Sequence, residues 1–538
     1  MPSPYLHLNT RMERWVPAFL GCALLLLALG NGLRATWGAE WPWMYDALRD
    51  VGMAQVMLEG RYPADNLYPQ ETLWINPLTA AVIAVGALVS GAEAPTVSAQ
   101  LGPFVNLLPA IALALLAAWW RGRWAAVAAL AGYLLWNAQE PSYAYATYTP
   151  WLFASHLAQG FFCLSLLAYN IARQRGGWGW FAIAGFLHGL TFLTHTGPAV
   201  LLGCIFVAMS VTERGNRGRG AAQLAVVLGS AFVVSLPYTW PIIARYQMQM
   251  VNLFPAANAQ SPMRLDEIGA TIWGAISVGN ALAVAGLAQL VIREPDKNKR
   301  RLAWVWLTVL AGWTVQVYAW QWMNMTAWGI PQVVPAHHFH AAFTLFRALC
   351  LGAGVMALCD WVMQRLGKAE AGAHGWAAAV AVLLVALAAL PGYVAWQEFR
   401  LGPRERAEYR NLWEQRNAMA PWLRDNIQPG AAILCDDQVA LVFAAPVARG
   451  AVSTMLIFSS PYIKATKRLA DRDRLYDALR AKDFEAFTAL ARAYNVRLIL
   501  VKDNEDEVVR AAMGAGAPIQ AVDWEGPLRA YTVDLPAQ

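Results

Sequence analysis

Charge is what this chain has least of. Only 14% of its 538 residues are Asp, Glu, Lys or Arg, while 58% are hydrophobic and the mean hydropathy is +0.36. Soluble domains carry roughly a quarter charged residues and ~45–50% apolar ones, which argues against a single soluble enzyme. Paired cysteines are missing too: the six are scattered singly, with only Cys435 beyond residue 399, so neither a disulfide framework nor a zinc site is indicated. No glycine-rich phosphate loop follows a strand-like run, which removes nucleotide binding. There is no internal repeat and no low-complexity tract beyond alanine-rich stretches. The net charge of +6 is not a nucleic-acid footprint, because the last 140 residues hold 19 basic and 18 acidic groups. The first apolar run follows Arg11 and Arg14 with no small-residue cleavage site after it, so it is expected to stay as a first span.

The scarcity is uneven. Of the charged residues, 37 fall between Phe399 and Gln538, and the other 39 are spread over 398 positions. The expected organisation is a polytopic α-helical membrane module, 1–398, followed by a soluble α/β domain, 399–538. Apolar runs near the ~20 residues a span needs begin at Trp15, Leu101, Trp124, Trp151, Trp178, Pro198, Ala221, Ile268, Leu302, Phe343 and Trp376. Pro77–Ser90 is a shorter candidate. Basic clusters at Arg121/Arg123, Arg173/Arg175, Arg214–Arg219, Arg293–Arg301 and Arg365/Lys368 fall at every second connection. The positive-inside rule puts these in the cytoplasm with the N-terminus, and the soluble domain outside. Either 11 or 13 spans satisfies that arrangement. Within the soluble domain, Ala431–Cys435 and Arg497–Val501 read as buried strands, and Asp473–Tyr494 carries helical spacing.

The first outer loop, 36–75, holds the densest chemistry. Ala47, Val51, Ala54 and Leu58 recur at helical spacing, predicting an amphipathic helix over 44–59 on the membrane surface. Asp46 and Asp50 stand one turn apart with Arg49 beside them, then Gly60 ends the helix and Tyr62-Pro63 follows. Two carboxylates so placed can take a proton from a hydroxyl or help hold a divalent cation. Solvated loop acids are the plain alternative.

This segment carries a resemblance. An Asp soon after the first span, a short helix ending in Gly60, Tyr62-Pro63 and a later Asn76-Pro77-Leu78 resemble the first periplasmic loop of GT-C fold glycosyltransferases. These polytopic enzymes use polyprenyl-phosphate-linked sugars; they include protein mannosyltransferases and the aminoarabinose and arabinofuranosyl transferases. The tail segment RLYDALRAKDFEAFTALARAYNVRLILVKD is similar to the end domain of bacterial members. The resemblance implies that Asp50, or its close rival Asp46, is the catalytic acid of the first loop. It places a supporting acid at Glu140 on the next outer loop, and leaves Glu71 and Tyr62 as substrate-binding candidates. A divalent cation, magnesium or manganese, would sit on Asp50 and Glu140 if the enzyme uses one.

Two further stretches supply cations. In PAHHFHAAFTLFR, His337 and His340 share a helical face, and Arg347 lies about two turns into the following span, a costly place unless paired or facing a polar cavity. Arg347, His337 and His340 are the candidates for a lipid phosphate. His195, at a break before Gly197-Pro198, is a candidate cavity residue, whereas His156 and His188 read as packing. Trp41, Trp43 and Trp74 suit an interfacial belt or a sugar face. The expectation is an inverting glycosyltransferase of a bacterial inner membrane. It would pass a sugar from a polyprenyl-phosphate donor to a periplasmic glycolipid, polysaccharide or protein, among membrane lipids and without nucleic acid. A transporter, or a non-catalytic membrane protein with an outer binding domain, are the alternatives.

Overall fold

The computed structural model describes residues 4–135, 148–213, 217–252, 278–323, 325–328, 338–366, 375–389, 407–524, 526 and 528–535. The chain divides into two compact units. A helical unit comprises 1–37, 102–236 and 260–402; a mixed unit comprises 38–101, 237–259 and 403–538. The mixed unit therefore gathers the first loop, a short central segment and the charged tail.

Helices take up most of the chain: α1 Pro4–Thr36, α2 Tyr45–Leu58, α3 Leu78–Ser90, α4 Ala94–Val105, α5 Leu107–Arg121, α6 Arg123–Leu135, α7 Ala154–Arg175, α8 Trp178–Thr194, α9 Thr196–Val211 and α10 Arg217–Tyr246. They continue with α11 Val278–Ala288, α12 Lys297–Trp322, α13 His338–Arg365 and α14 Gly375–Ala389. Among the described residues, Trp15–Thr36, Ala94–Arg121, Arg217–Tyr246 and Ala342–Arg365 are long and apolar enough to cross a membrane. At 13 residues, α3 rises only ~20 Å, short of a hydrocarbon core of ~30 Å.

Small residues set the packing of the helical unit. In α6, Trp124 through Leu135 is buried throughout. A Cβ on Gly352 of α13 would lie 2.4 Å from the Ala125 carbonyl, and one on Gly354 would lie 1.9 Å from that of Leu282. Such contacts let helix backbones touch, the means by which spans associate when lipid is as apolar as leucine. The apolar surface left over faces outward, as Trp15, Phe19 and Leu26 of α1 do at 63%, 72% and 66% exposure. At one end of this unit the basic connections meet. Arg173 binds Glu213 at 2.7 Å, Arg121 lies 3.9 Å from Glu294 and 3.6 Å from Asp360, and Lys299 donates to the Trp119 and Trp120 carbonyls. These connections thus share one side.

In the mixed unit, α15 Ala407–Asn426 precedes a five-stranded sheet of order β2-β1-β3-β5-β4. The strands are β1 Ala432–Leu434, β2 Gly450–Ala451, β3 Val496–Val501, β4 Ile519–Ala521 and β5 Arg529–Val533. β1 runs parallel to β2 and β3, and β5 is antiparallel to β3 and β4. The expected single helical stretch over Asp473–Tyr494 is two helices, α16 Ala465–Ala481 and α17 Phe484–Ala493. Lys482 breaks it with a left-handed φ of 59°, and Asp483 caps α17 by accepting from the Ala486 amide. α18, Asp503–Gly514, follows β3.

Candidate active site

α2 carries both first-loop acids, and its apolar stripe decides how they face. Ala47, Leu48, Val51, Met53, Ala54 and Val56 are buried. Leu48 lies in one core with Met419, Val442 and Phe443, so the stripe meets protein within the mixed unit where a bare membrane surface was expected. Gly52 makes the approach possible, since a Cβ there would lie 1.9 Å from the Ala445 carbonyl. Asn66 seals the same point, donating from Nδ2 to the Arg49 and Ala445 carbonyls at 3.2 and 3.4 Å.

That seating buries Asp50, only 4% exposed, and leaves Asp46 a third exposed. Arg49 reaches both. Its Nε and NH2 donate to Asp50 Oδ1 at 3.0 and 2.8 Å, and NH1 donates to Asp46 Oδ1 at 2.8 Å. The guanidinium also lies 6.0 Å from the Phe458 ring centroid. Burial pushes the Asp50 carboxyl above its ordinary value, with Arg49 pulling it back down. Each carboxylate gives Oδ1 to Arg49, and among the described residues neither Oδ2 accepts a hydrogen bond. The result is one buried and one accessible acid held by a shared cation. For a divalent ion the fit is poor: Arg49 already supplies the countercharge, and among the described residues no group of three or more His, Cys, Asp or Glu converges.

Three other first-loop groups fasten the loop. Glu71 accepts from Arg468 at 2.8 Å, from the Tyr246 hydroxyl at 2.8 Å and from Arg245 at 3.2 Å. The Tyr62 hydroxyl donates to the Pro237 carbonyl at 2.7 Å, an acceptor set free because Pro241 has no N–H to reach it. Trp41 is buried and donates to Asn417 Oδ1, so neither a lipid belt nor a sugar face is its place.

Two residues escaped the sequence reading. Glu59 accepts from Gln55 at 3.1 Å and binds Arg61 at 2.6 Å and Arg449 at 3.1 Å; burial pushes its carboxyl up, but the Gln55 hydrogen bond and the two arginines together hold it below the ordinary value. Asp65 is buried; Oδ1 caps the Leu67 and Tyr68 amides at 2.7 and 3.2 Å, while Oδ2 has no partner. Burial pushes this carboxyl up to about 6. The Asp-x-Leu capping turn was readable in the sequence, but the burial was not.

In the helical unit, Arg347 sits nine residues into α13, half-buried. His195 is the extended one-residue link between α8 and α9, its Nδ1 accepting from the Gly197 amide at 3.2 Å. His188 donates from Nε2 to the Ala199 carbonyl, and with His156 it is buried. Ser155, Gln159, Phe162, Pro198, Leu201, Trp313, Ala342 and Leu345 line a small cleft of about 10 Å³, and Gln159 Nε2 has no hydrogen-bond partner. Glu140 and His337 lie outside the described residues, as does the His340 side chain.

Solved structures share the fold. The archaeal oligosaccharyltransferase AglB from Archaeoglobus fulgidus, in complex with an inhibitory peptide and a dolichol-phosphate, superposes with a TM-score of 0.52 over 90% of this chain and 70% of its own, at 13% identity. The fold is that of the GT-C glycosyltransferases. A second structure of the Archaeoglobus fulgidus enzyme, in complex with zinc and sulfate, gives a TM-score of 0.51 over 89% and 67%, at 14% identity. ArnT from Cupriavidus metallidurans, bound to undecaprenyl phosphate, matches at 0.48 over 97% of this chain and 99% of its own, at 13% identity. No family model and no curated protein sequence matches the chain. A GT-C fold together with the apolar helices makes this a multi-pass membrane protein.

Proposed function

We propose that the protein is an inverting glycosyltransferase that takes a sugar from a polyprenyl-phosphate donor and passes it to an acceptor on the periplasmic face of a bacterial inner membrane. The observation carrying this reading is the Arg49-clamped acid pair, Asp46 and Asp50, on the first-loop helix of a GT-C fold. The AglB structure with its dolichol-phosphate and peptide supports a lipid-phosphate donor. The acceptor is a glycolipid, polysaccharide or protein.

The chemistry is one displacement. An acceptor oxygen attacks the anomeric carbon as the bond from that carbon to the phosphate oxygen breaks, and configuration inverts. The acceptor proton goes to a carboxylate of the Asp46/Asp50 pair, and the bonding electrons leave on the polyprenyl phosphate. Asp50 is the favoured base of the pair, because burial raises its proton affinity, with Arg49 pulling the other way. Since the leaving group is already a stable anion, the protein's task is positioning and meeting negative charge. Arg347, with the His337/His340 edge and His195, is proposed for that second task. Glu140 is the proposed supporting acid.

Separate Asp46→Asn and Asp50→Asn variants, assayed for transfer from undecaprenyl-phosphate-linked sugar, test the assignment. The expected loss is about 10²–10⁴-fold for the base. Wild-type turnover in both variants would remove the first loop from the mechanism.

A further inference from the structure

The soluble sheet has a second place where chemistry gathers, away from the first-loop acids. β1 lies between two parallel neighbours, and the chain leaves it toward β2 on one side and returns at β3 on the other. The two crossovers cover opposite faces. The segment Asp437–Val447 packs with Ile433, Leu498 and Leu500, whereas α16 and α17 pack with Ala432, Leu434, Val496, Ile499 and Val501. In open α/β sheets such a switch point leaves a crevice outside the carboxyl ends of the strands, and ligands bind there.

The residues at those ends are polar and paired. Asp436, just after β1, binds Lys502, just after β3, at 2.7 Å, and Lys502 also donates to Gln438 Oε1. Asp437 accepts from Arg472 of α16 at 2.7 Å and from the Ser453 hydroxyl, beyond β2, at 3.4 Å. Four residues on from Arg472, and so on the same face of α16, Tyr476 is only 8% exposed and its hydroxyl has no partner. Its ring shares a core with Leu434 and Val501, the last residues of β1 and β3.

We propose that the carboxyl-terminal edge of β2, β1 and β3 binds a neutral, hydroxyl-rich carbohydrate segment. Phosphates are disfavoured there. Asp436, Asp437, Asp473 and Glu505 outnumber Lys502 and Arg472, and the Lys502 amide at the start of α18 donates to Glu505 Oε2. A metal ion would have to displace both cations from their carboxylates. A sugar hydroxyl needs neither, because it donates to a carboxylate oxygen while accepting from the ammonium or guanidinium beside it. The Tyr476 hydroxyl supplies one further donor and acceptor. The proposal does not depend on the transferase reading.

The test uses the full chain in a detergent without a sugar headgroup, with methyl glycosides of glucose, mannose and N-acetylglucosamine and inorganic phosphate as probes. Binding is followed by saturation-transfer NMR and calorimetry. At least one glycoside should bind with a Kd of roughly millimolar order, and phosphate should not displace it. Arg472→Gln should weaken binding about tenfold, or 1.4 kcal/mol. Tyr476→Phe should weaken it several-fold with no loss in melting temperature, since the hydroxyl has no partner to lose. Asp50→Asn should retain it, which separates this edge from the first loop. No saturable glycoside binding, or binding that Arg472→Gln and Tyr476→Phe leave unchanged, would overturn the proposal.

Discussion

Asp65 shows how one buried oxygen acquires a thermodynamic signature. Its carboxyl is raised to about 6 because burial disfavours the charge more than two amides and Arg468 favour it. A carboxyl whose folded value exceeds its unfolded one (about 3.9) binds its proton more tightly in the folded state. Its contribution is therefore fully present below about pH 4 and is lost as pH rises through about 6. Asp65→Asn should remove that fall and raise stability at pH 7 by up to about 3 kcal/mol. Melting temperatures of both forms at pH 4.5 and pH 7.5 check it; identical slopes would mean the carboxyl is solvated. Arg449 is the opposite case, a buried cation with its needs met. It donates to Glu59 and to the carbonyls of Ile427, Val447, Ala448 and Arg424. Arg449→Met should cost about 3–5 kcal/mol by leaving Glu59 and those carbonyls short of a donor, read as a lowered unfolding midpoint in denaturant.

At the scale of elements, α2 and its neighbours carry the argument. A methyl group at Gly52 meets the Ala445 carbonyl head-on, so Gly52→Ala should cost about 1–3 kcal/mol. It should also lower transfer by shifting Asp46 and Asp50, whereas Gly60→Ala, with open space around it, should act only through its positive φ. Thermal melts of the two variants separate the effects. Most helices were legible in the sequence because apolar runs bounded by Arg clusters have one structural solution in a membrane. The acid pair was legible too, since Asp46, Arg49 and Asp50 interact within one helix. What could not be read were partners remote in the chain. Glu59 meets Arg449 from 390 positions away, and the carbonyl that receives Tyr62 is free only because of Pro241, a residue with no local link to the loop. The break at Lys482 was missed because Leu475, Leu479, Phe484 and Phe487 keep a helical rhythm across it, although Asp483 followed by an apolar run is a capping signal.

At the scale of the whole molecule, the paired basic connections of the helical unit share one side, with Arg121, Arg173 and Lys299 as their anchors. The proposed orientation turns that side to the cytoplasm. A cysteine placed at Lys482 should therefore react with a membrane-impermeant thiol reagent added to intact spheroplasts, and one placed at Arg219 should react only after lysis. The reverse pattern would invert the topology and put the first-loop acids on the wrong face for a periplasmic acceptor. Beneath orientation lies the central claim, that a lipid-phosphate sugar is consumed. The direct measurement is release of free undecaprenyl phosphate by the wild-type protein in liposomes that contain the lipid-linked sugar, with glycolipid, polysaccharide and protein acceptors supplied in turn. The account predicts one lipid phosphate released per sugar transferred, an inverted anomeric configuration in the product, and a loss of about 10²-fold or more in Asp50→Asn or Asp46→Asn. Intact donor with every acceptor, or release that neither substitution affects, would contradict it.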